Sequence, residues 1–264
     1  MVSDLDGTFF AKGTTIPQRN LDAVNYFMDN GGKFTISTGR SIVASKIIAK
    51  NIPKNVPSIL FNGALLYDFT TDMILESTGI QSINAIDLLI KVNKKYPKIQ
   101  AFVFKDFQLY CTTHNYQTLI ADSLCMHSIY EPDPSKIPFP WYKILFGGQP
   151  RDLMEISSYI STLSYPDLTH VKSSSVLLEV LVKGIDKGYG LRKLAHYLNV
   201  PINKTIAVGD YYNDEQLLKT AGIAFLPSNA VEELKYLGTI VGNHEKGAIA
   251  DVVDLLDLQT NLKK

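Results

Sequence analysis

Three stretches of the chain place oxygen-bearing side chains beside glycine at the ends of short apolar runs. DLDGT sets Asp4 and Asp6 one residue apart, with Gly7 and Thr8 behind them; ISTGR ends in Thr38, Gly39 and Arg40; AVGDYYND offers Asp210, Asn213 and Asp214. A lysine, Lys187, stands at the start of a helical stretch in KGIDKGYG. Alone, DLDGT reads as an exposed acidic turn that Gly7 allows. A calcium loop of the EF-hand type fits poorly, because its glycine comes later and follows three spaced ligands. Together the stretches point elsewhere. Carboxylates gathered at one sheet edge repel unless a cation binds among them, and an oxygen-only set favours Mg²⁺. A lysine and a hydroxyl beside that set are what a phosphate dianion would recruit.

The elements that must position these residues follow from periodicity. MVSD, KFTIST and SILF read as strands; LDAVNYFMDN and SIVASKIIAKN, with apolar residues at helical spacing, read as the helices between them. Pro17 suits a helix start and Gly31–Gly32 a helix end. Asn62–Gly63 reads as a turn between two strands. This β-α-β-α-β order predicts a parallel sheet with helices on both faces, whose ligands bind beyond the carboxyl ends of the strands. The alternation resumes with GYGLRKLAHYLNV, TIAVGD, DEQLLKTA and GIAFLP.

The middle of the chain differs. INAIDLLIKVNKKY and DLMEISSYISTLS are helical, IQAFVFKDFQLYCTT reads as a hairpin, and HVKSSSVLLEVLVKG is strand-like. A proline-rich stretch between them, YEPDPSKIPFPWYKILF, must be largely extended or turned. The fold expected is α/β: a core from residues 1–80 and 184–264, with an α+β domain inserted over 81–183.

Of the 264 residues 45% are hydrophobic, enough for a sizeable core, and 26 basic residues balance 26 acidic ones. That balance gives no basic face for nucleic acid, and no apolar run reaches the roughly 18 residues a membrane span needs. Cys111 and Cys125 are too few for a disulfide framework, which suits a reducing, cytoplasmic setting. Cys125 with His127 lacks any supporting motif for a nucleophile pair, and the five histidines have no ligand spacing. Phe102, Phe104, Tyr110, Trp141 and Tyr142 are expected in a core, while Glu131, Asp133, Lys136, Arg192 and Lys193 are expected on solvated faces.

DLDGT, ISTGRS, FNGALLYD, VKGIDKG and GDYYND together resemble the haloacid dehalogenase superfamily, and within it the Cof-type phosphatases with a large α+β cap. The resemblance spans nearly the whole chain and implies a Rossmann-like core. It implies that Asp4 is the nucleophile and Asp6 the acid that protonates the leaving alcohol. Thr38 and Lys187 would hold the transferring phosphoryl group. Mg²⁺ would be bound by Asp4, the Asp6 main-chain carbonyl and Asp210, with Asn213 and Asp214 just outside. Gly39, Arg40, Asn62 and Gly63 would face a small phosphorylated metabolite, a sugar phosphate or a phosphorylated cofactor. Asp6 favours phosphoester hydrolysis over dehalogenation, and the late position of the insertion disfavours a mutase. The other classes the residues admit are a phosphometabolite-binding protein that does not hydrolyse and a phosphotransferase. One departure from the family stands out: only Met1, Val2 and Ser3 precede Asp4. The first strand is therefore expected to be very short, or Met1 to be an internal position of a longer chain.

Overall fold

Short β-branched runs separated by amphipathic stretches do become parallel strands joined by helices. The computed structural model describes residues 1–113 and 127–261 and divides into two units. The first comprises Met1–Thr38, Lys46–Glu76 and the chain from Asp186 on. Its strands are β1 (Val2–Ser3), β2 (Thr35–Ile36), β12 (Ile206–Val208), β13 (Ile223–Pro227) and β14 (Thr239–Val241). They form one parallel sheet in the order β14-β13-β12-β1-β2. β1, an interior strand, is only two residues long, as short as the sequence implies, and it pairs with β12 on one side and the edge strand β2 on the other.

Alternation along these strands builds two cores. Val208 and Phe225 pack with Val24 of α1 (Gln18–Asp29) and with Ile249 and Val252 of α7 (Ala248–Asn261). Their strand neighbours Ala207 and Leu226 pack with Leu191 and Leu194 of α5 (Lys187–Tyr197) and Leu217 of α6 (Glu215–Thr220). Successive residues thus face opposite layers, as a period of two requires. β3 (Ser58–Leu60) joins the main sheet only through a single parallel bridge, Ser37 to Ile59. It forms its own three-stranded sheet with β4 (Leu65–Asp68) and β5 (Met73–Ser77), so the expected continuous run of parallel strands is interrupted there.

The second unit comprises Ser77–Ile185 and, unforeseen from the sequence, Gly39–Ser45, the loop after Thr38 and the first turn of α2 (Ile42–Ala49). Its six-stranded sheet has the order β10-β11-β9-β6-β7-β8. The strands are β6 (Gln100–Lys105), β7 (Gln108–Cys111), β8 (Ser128–Tyr130), β9 (Lys143–Gly147), β10 (Leu168–Ser174) and β11 (Leu177–Val182). β6 and β7 form the expected hairpin, and HVKSSSVLLEVLVKG resolves into an antiparallel pair, β10 and β11. Helices α3 (Ile83–Lys95) and α4 (Pro150–Leu163) supply Leu88, Leu89, Leu153 and Ile156 to a core with Val103, Ile144, Phe146 and Val180. Phe102, Phe104, Trp141 and Tyr142 are buried, as expected of core aromatics. Cys111 is buried; Cys125 lies outside the described residues. Among the described residues no helix is long and apolar enough to cross a membrane.

One buried polar residue ties the first unit together next to DLDGT. Asn20 on α1 is fully buried and donates to the Phe9 carbonyl at 2.9 Å. Its Oδ1 accepts from the main-chain N–H groups of Ile249 and Ala250 at 3.1 and 3.2 Å in the first turn of α7, where the Ala250 N–H also donates to the Gly247 carbonyl. Removing the amide takes this partner from the Phe9 carbonyl and the Ile249 N–H and leaves the Ala250 N–H only its bond to Gly247. Asn20→Ala is expected to cost about 2–3 kcal/mol in urea unfolding. A loss below about 0.5 kcal/mol would show that water replaces the side chain there.

Candidate active site

The site forms where β1, β2 and β12 end. Asp4 follows β1 directly, and its N–H donates to the Val208 carbonyl at 2.9 Å, keeping it in register with the end of β12. The chain then makes one wide turn over Leu5–Phe9, closed by the Phe10 N–H on the Leu5 carbonyl. Gly7 sits in that turn at φ +84°, and a side chain there would run into the Asp210 carboxylate. Glycine therefore serves twice: it takes the left-handed backbone and it lets the turn approach Asp210. Thr8 uses the approach, donating its hydroxyl to Asp210 Oδ1 at 2.6 Å.

Lys187 is the first residue of α5, and Asp186 caps that helix by accepting from the Tyr189 N–H at 2.7 Å. The lysine is fully buried, and its Nζ lies 2.5 Å from Asp4 Oδ1 and 2.6 Å from Asp214 Oδ1. Asp214 commits its other oxygen to the N–H groups of Asp210 and Tyr211, each at 3.1 Å. It thus braces the lysine and the Asp210 loop at once. The turn at Asn62–Gly63 sits against α5: a Cβ on Gly63, at φ +98°, would overlap the Asp186 carbonyl and crowd Gly190. Asn213 Nδ2 donates to Asn62 Oδ1 at 3.1 Å, and the Asn62 N–H donates to the Thr38 carbonyl at 3.0 Å. Thr38 itself is 1% exposed.

The structure therefore brings Asp4, Asp210, Asp214 and Lys187 into one buried cluster, with Thr38, Asn62, Gly63 and Asn213 linked through the hydrogen bonds and packing around it. Asp6 is exposed in the same turn. Gly39 and Arg40, both half-buried, group with the second unit. Sequence reasoning missed two contributors. Thr8 had a signal, being adjacent to Gly7 in DLDGT. Asn229 had none: it donates to the Gly7 carbonyl at 2.8 Å across 222 residues of chain.

Carboxylate oxygens of Asp4, Asp210 and Asp214 lie within 4.8 Å of one another, against the single ammonium of Lys187. The surplus negative charge shows in the acidities. Burial pushes the Asp4 carboxyl well above its usual range, Asp214 repels it further, and Lys187 offsets only part. Asp210 is pushed up to about 7 by burial and then by Asp214, against the pull of the Thr8 hydrogen bond. Burial pulls the Lys187 ammonium down, but Asp214 and Asp4 outweigh it and hold it above an ordinary lysine. A bound divalent cation would relieve this surplus, and a cluster of carboxylate oxygens suits a hard one. Because both Asp214 oxygens are engaged, Asp4 and Asp210 are the carboxylates with coordination to offer. The donor set fits a divalent metal.

Residues 1–253 match the family described as haloacid dehalogenase-like hydrolase. The chain is 25% identical over 251 residues to a 5-amino-6-(5-phospho-D-ribitylamino)uracil phosphatase of Bacillus subtilis, covering 92% of each. It is 24% identical over 236 residues to an HMP-PP phosphatase of Yersinia pseudotuberculosis, covering 88% of this chain and 84% of that one. A solved haloacid dehalogenase-like hydrolase from B. subtilis superposes with a TM-score of 0.82 at 22% identity, over 97% of this chain and 99% of that one. One from Bacteroides thetaiotaomicron gives 0.80 at 19% identity, over 97% and 98%. At these identities the structural likeness speaks for the fold: a parallel α/β core with an inserted α+β unit.

The charge surplus has a consequence for stability. An acid whose pKa is raised on folding holds its proton more tightly in the folded chain, so stability falls as pH rises. For Asp210 the loss begins near the ordinary carboxylate value of about 3.9 and is complete above about 7. With a chelator present, the melting temperature of Asp210→Asn should gain on that of the unsubstituted protein across this window. Added Mg²⁺ should shrink the gain. A difference that stays flat with pH would contradict the surplus.

Proposed function

The chain belongs to the haloacid dehalogenase-like hydrolases and is a phosphoric monoester hydrolase; from that premise we propose that it cleaves a small phosphorylated metabolite with Mg²⁺, through an aspartyl-phosphate on Asp4. The observation that carries the reading is the buried Lys187 ammonium shared between Asp4 and Asp214, with Asp210 beside them. A structural ion pair needs one carboxylate. This arrangement keeps three around one lysine at the carboxyl end of the sheet's strands, where a ligand would be met.

Asp4, the Asp6 main-chain carbonyl and Asp210 would hold the metal. When bound, Mg²⁺ supplies positive charge that screens the carboxylates from a phosphate dianion and polarises the phosphoryl oxygens. The chain's own residues do the rest. Asp4, once ionised with Lys187 and the metal's charge beside it, needs no base to become a nucleophile; its oxygen forms a bond to phosphorus as the ester P–O bond breaks. Asp6, exposed at the mouth of the turn, gives its proton to the departing alkoxide. A water then loses a proton to Asp6 and attacks the same phosphorus, which frees Asp4 and inorganic phosphate. Lys187 and the Thr38 hydroxyl hold the phosphoryl oxygens through both displacements, stabilising charge where it gathers. Asp214 and Asn213 keep Lys187 and the Asp210 loop in place.

Choice of substrate is assigned to the second unit, as a cap, and to Gly39, Arg40, Asn62 and Gly63 at the strand ends. The named relatives include phosphatases of a ribitylaminouracil phosphate and of HMP-PP, so a phosphorylated cofactor precursor leads the candidates, followed by sugar phosphates. A cytoplasmic setting goes with such a substrate.

Asp4→Asn should fold as the unsubstituted protein does and lose turnover of every phosphate monoester in a panel assayed with Mg²⁺, by about 10⁴-fold or more. Substantial Mg²⁺-dependent phosphate release by that folded variant would sink the nucleophile assignment.

A further inference from the structure

The second unit buries a charged pair that the reaction above does not use. Lys143 on β9 and Glu179 on β11 are 3% and 2% exposed, with Nζ 2.9 Å from Oε1. Their strand neighbours Ile144, Leu178 and Val180 belong to the core under α3 and α4. Alternation therefore puts Lys143 and Glu179 on the opposite face of the sheet. Lys143 is in register with Phe104 of β6, and its Nζ lies 4.8 Å from that ring's centroid.

Burying two charges is costly, and a packed apolar pair of similar volume commonly gives equal or greater stability. Stability alone therefore does not account for Lys143 and Glu179. An apolar pair could not supply the third contact, in which Lys143 Nζ donates to the Gly39 carbonyl at 2.6 Å. That carbonyl is one residue from Thr38. The Thr38 carbonyl is itself held by the Asn62 N–H at 3.0 Å, and the Thr38 N–H donates to the Ile59 carbonyl at 2.9 Å. The peptide planes on both sides of Gly39 are thus anchored, one by Asn62 and the other by Lys143. Glycine is the residue whose planes turn most freely, so the second anchor matters most here. In a trans peptide the N–H points opposite to the carbonyl. By gripping the Gly39 carbonyl, Lys143 also sets the direction of the Arg40 N–H and the course of the chain into Arg40.

We propose that Lys143, held by Glu179, is a positioning residue for the hydrolysis, fixing the Gly39–Arg40 peptide next to the Thr38 that grips the transferring phosphoryl group. The inference rests on the phosphatase reading and deepens it. Lys143 touches no reacting atom; it acts through Gly39.

The test is the double substitution Lys143→Met with Glu179→Met, which keeps the volume and strands no charge. With p-nitrophenyl phosphate and Mg²⁺, kcat should fall about 10- to 100-fold while KM changes little, the mark of lost alignment. Inhibition by orthovanadate, which mimics the transferring phosphoryl group, should weaken alongside kcat, and the melting temperature should stay close to that of the unsubstituted protein. A folded double variant with unchanged kcat and vanadate inhibition would overturn the inference. Should that variant not fold, two single substitutions decide. Lys143→Arg keeps a cation long enough to reach Gly39 and should retain most of kcat, whereas Lys143→Gln should not; equal kcat in the two would overturn it. Hydrolysis surviving in Asp4→Asn would strike the nucleophile assignment instead, and failure of the unsubstituted protein to hydrolyse any phosphate monoester would strike the phosphatase reading. An inactive Asp4→Asn beside a fully active double variant would strike this inference alone.

Discussion

A lysine ammonium with no exposed surface, shared by two aspartates, is the constraint around which the first unit is arranged. Leaving Lys187 buried with neither Asp4 nor Asp214 would cost about 3–5 kcal/mol, so the groups that deliver it are as fixed as the pair itself. Helix α5 must start at the strand ends, and Asp186 caps it there. Gly63 must lack a side chain for the Asn62–Gly63 turn to pass the Asp186 carbonyl, and Gly7 must lack one for DLDGT to meet Asp210. Asp214 must reach back to the N–H groups of Asp210 and Tyr211 to hold its own place. Each is a packing condition, and together they leave the cluster one arrangement.

That arrangement is electrostatically incomplete. With three buried carboxylates and one ammonium close together, Asp4 and Asp210 hold their protons more tightly than they would in water, and their weakened acidity reflects the imbalance. A protein selected for stability alone would shed one of the acids. Keeping them prepares a place for positive charge and, in the reading proposed, for a phosphate dianion beside it. The fold reserves its least relaxed electrostatics for the strand ends, while its two apolar cores satisfy ordinary packing. Strain of this kind at a site is affordable because the surrounding sheet and helices fix the geometry.

Much of this was legible in the sequence, and the reason is local. DLDGT, STGR, the lysine of KGIDKG and GDYYND each combine a glycine or short turn with side chains whose chemistry differs from the apolar runs before them. Strand alternation and helical spacing then predicted the parallel order that brings those turns to one edge. What stayed hidden depends on distant partners. Asn20 is an ordinary helix residue until α7 arrives 229 positions later. Asn229 meets Gly7 across 222 residues, and Lys143 meets Gly39 across 104. No periodicity marks an amide or a lysine that will be buried against a backbone carbonyl. The assignment of Gly39–Ser45 to the second unit was illegible for the same reason, since the segment reads as the continuation of a strand into a helix.

The central claim is that Asp4 attacks phosphorus and water attacks second. A phosphorothioate monoester made chiral at phosphorus with an oxygen isotope, hydrolysed in isotopic water, tests it most directly. Two in-line displacements at one phosphorus predict net retention of configuration in the released thiophosphate. Net inversion would mean that water attacks the ester in a single step, and would contradict the account.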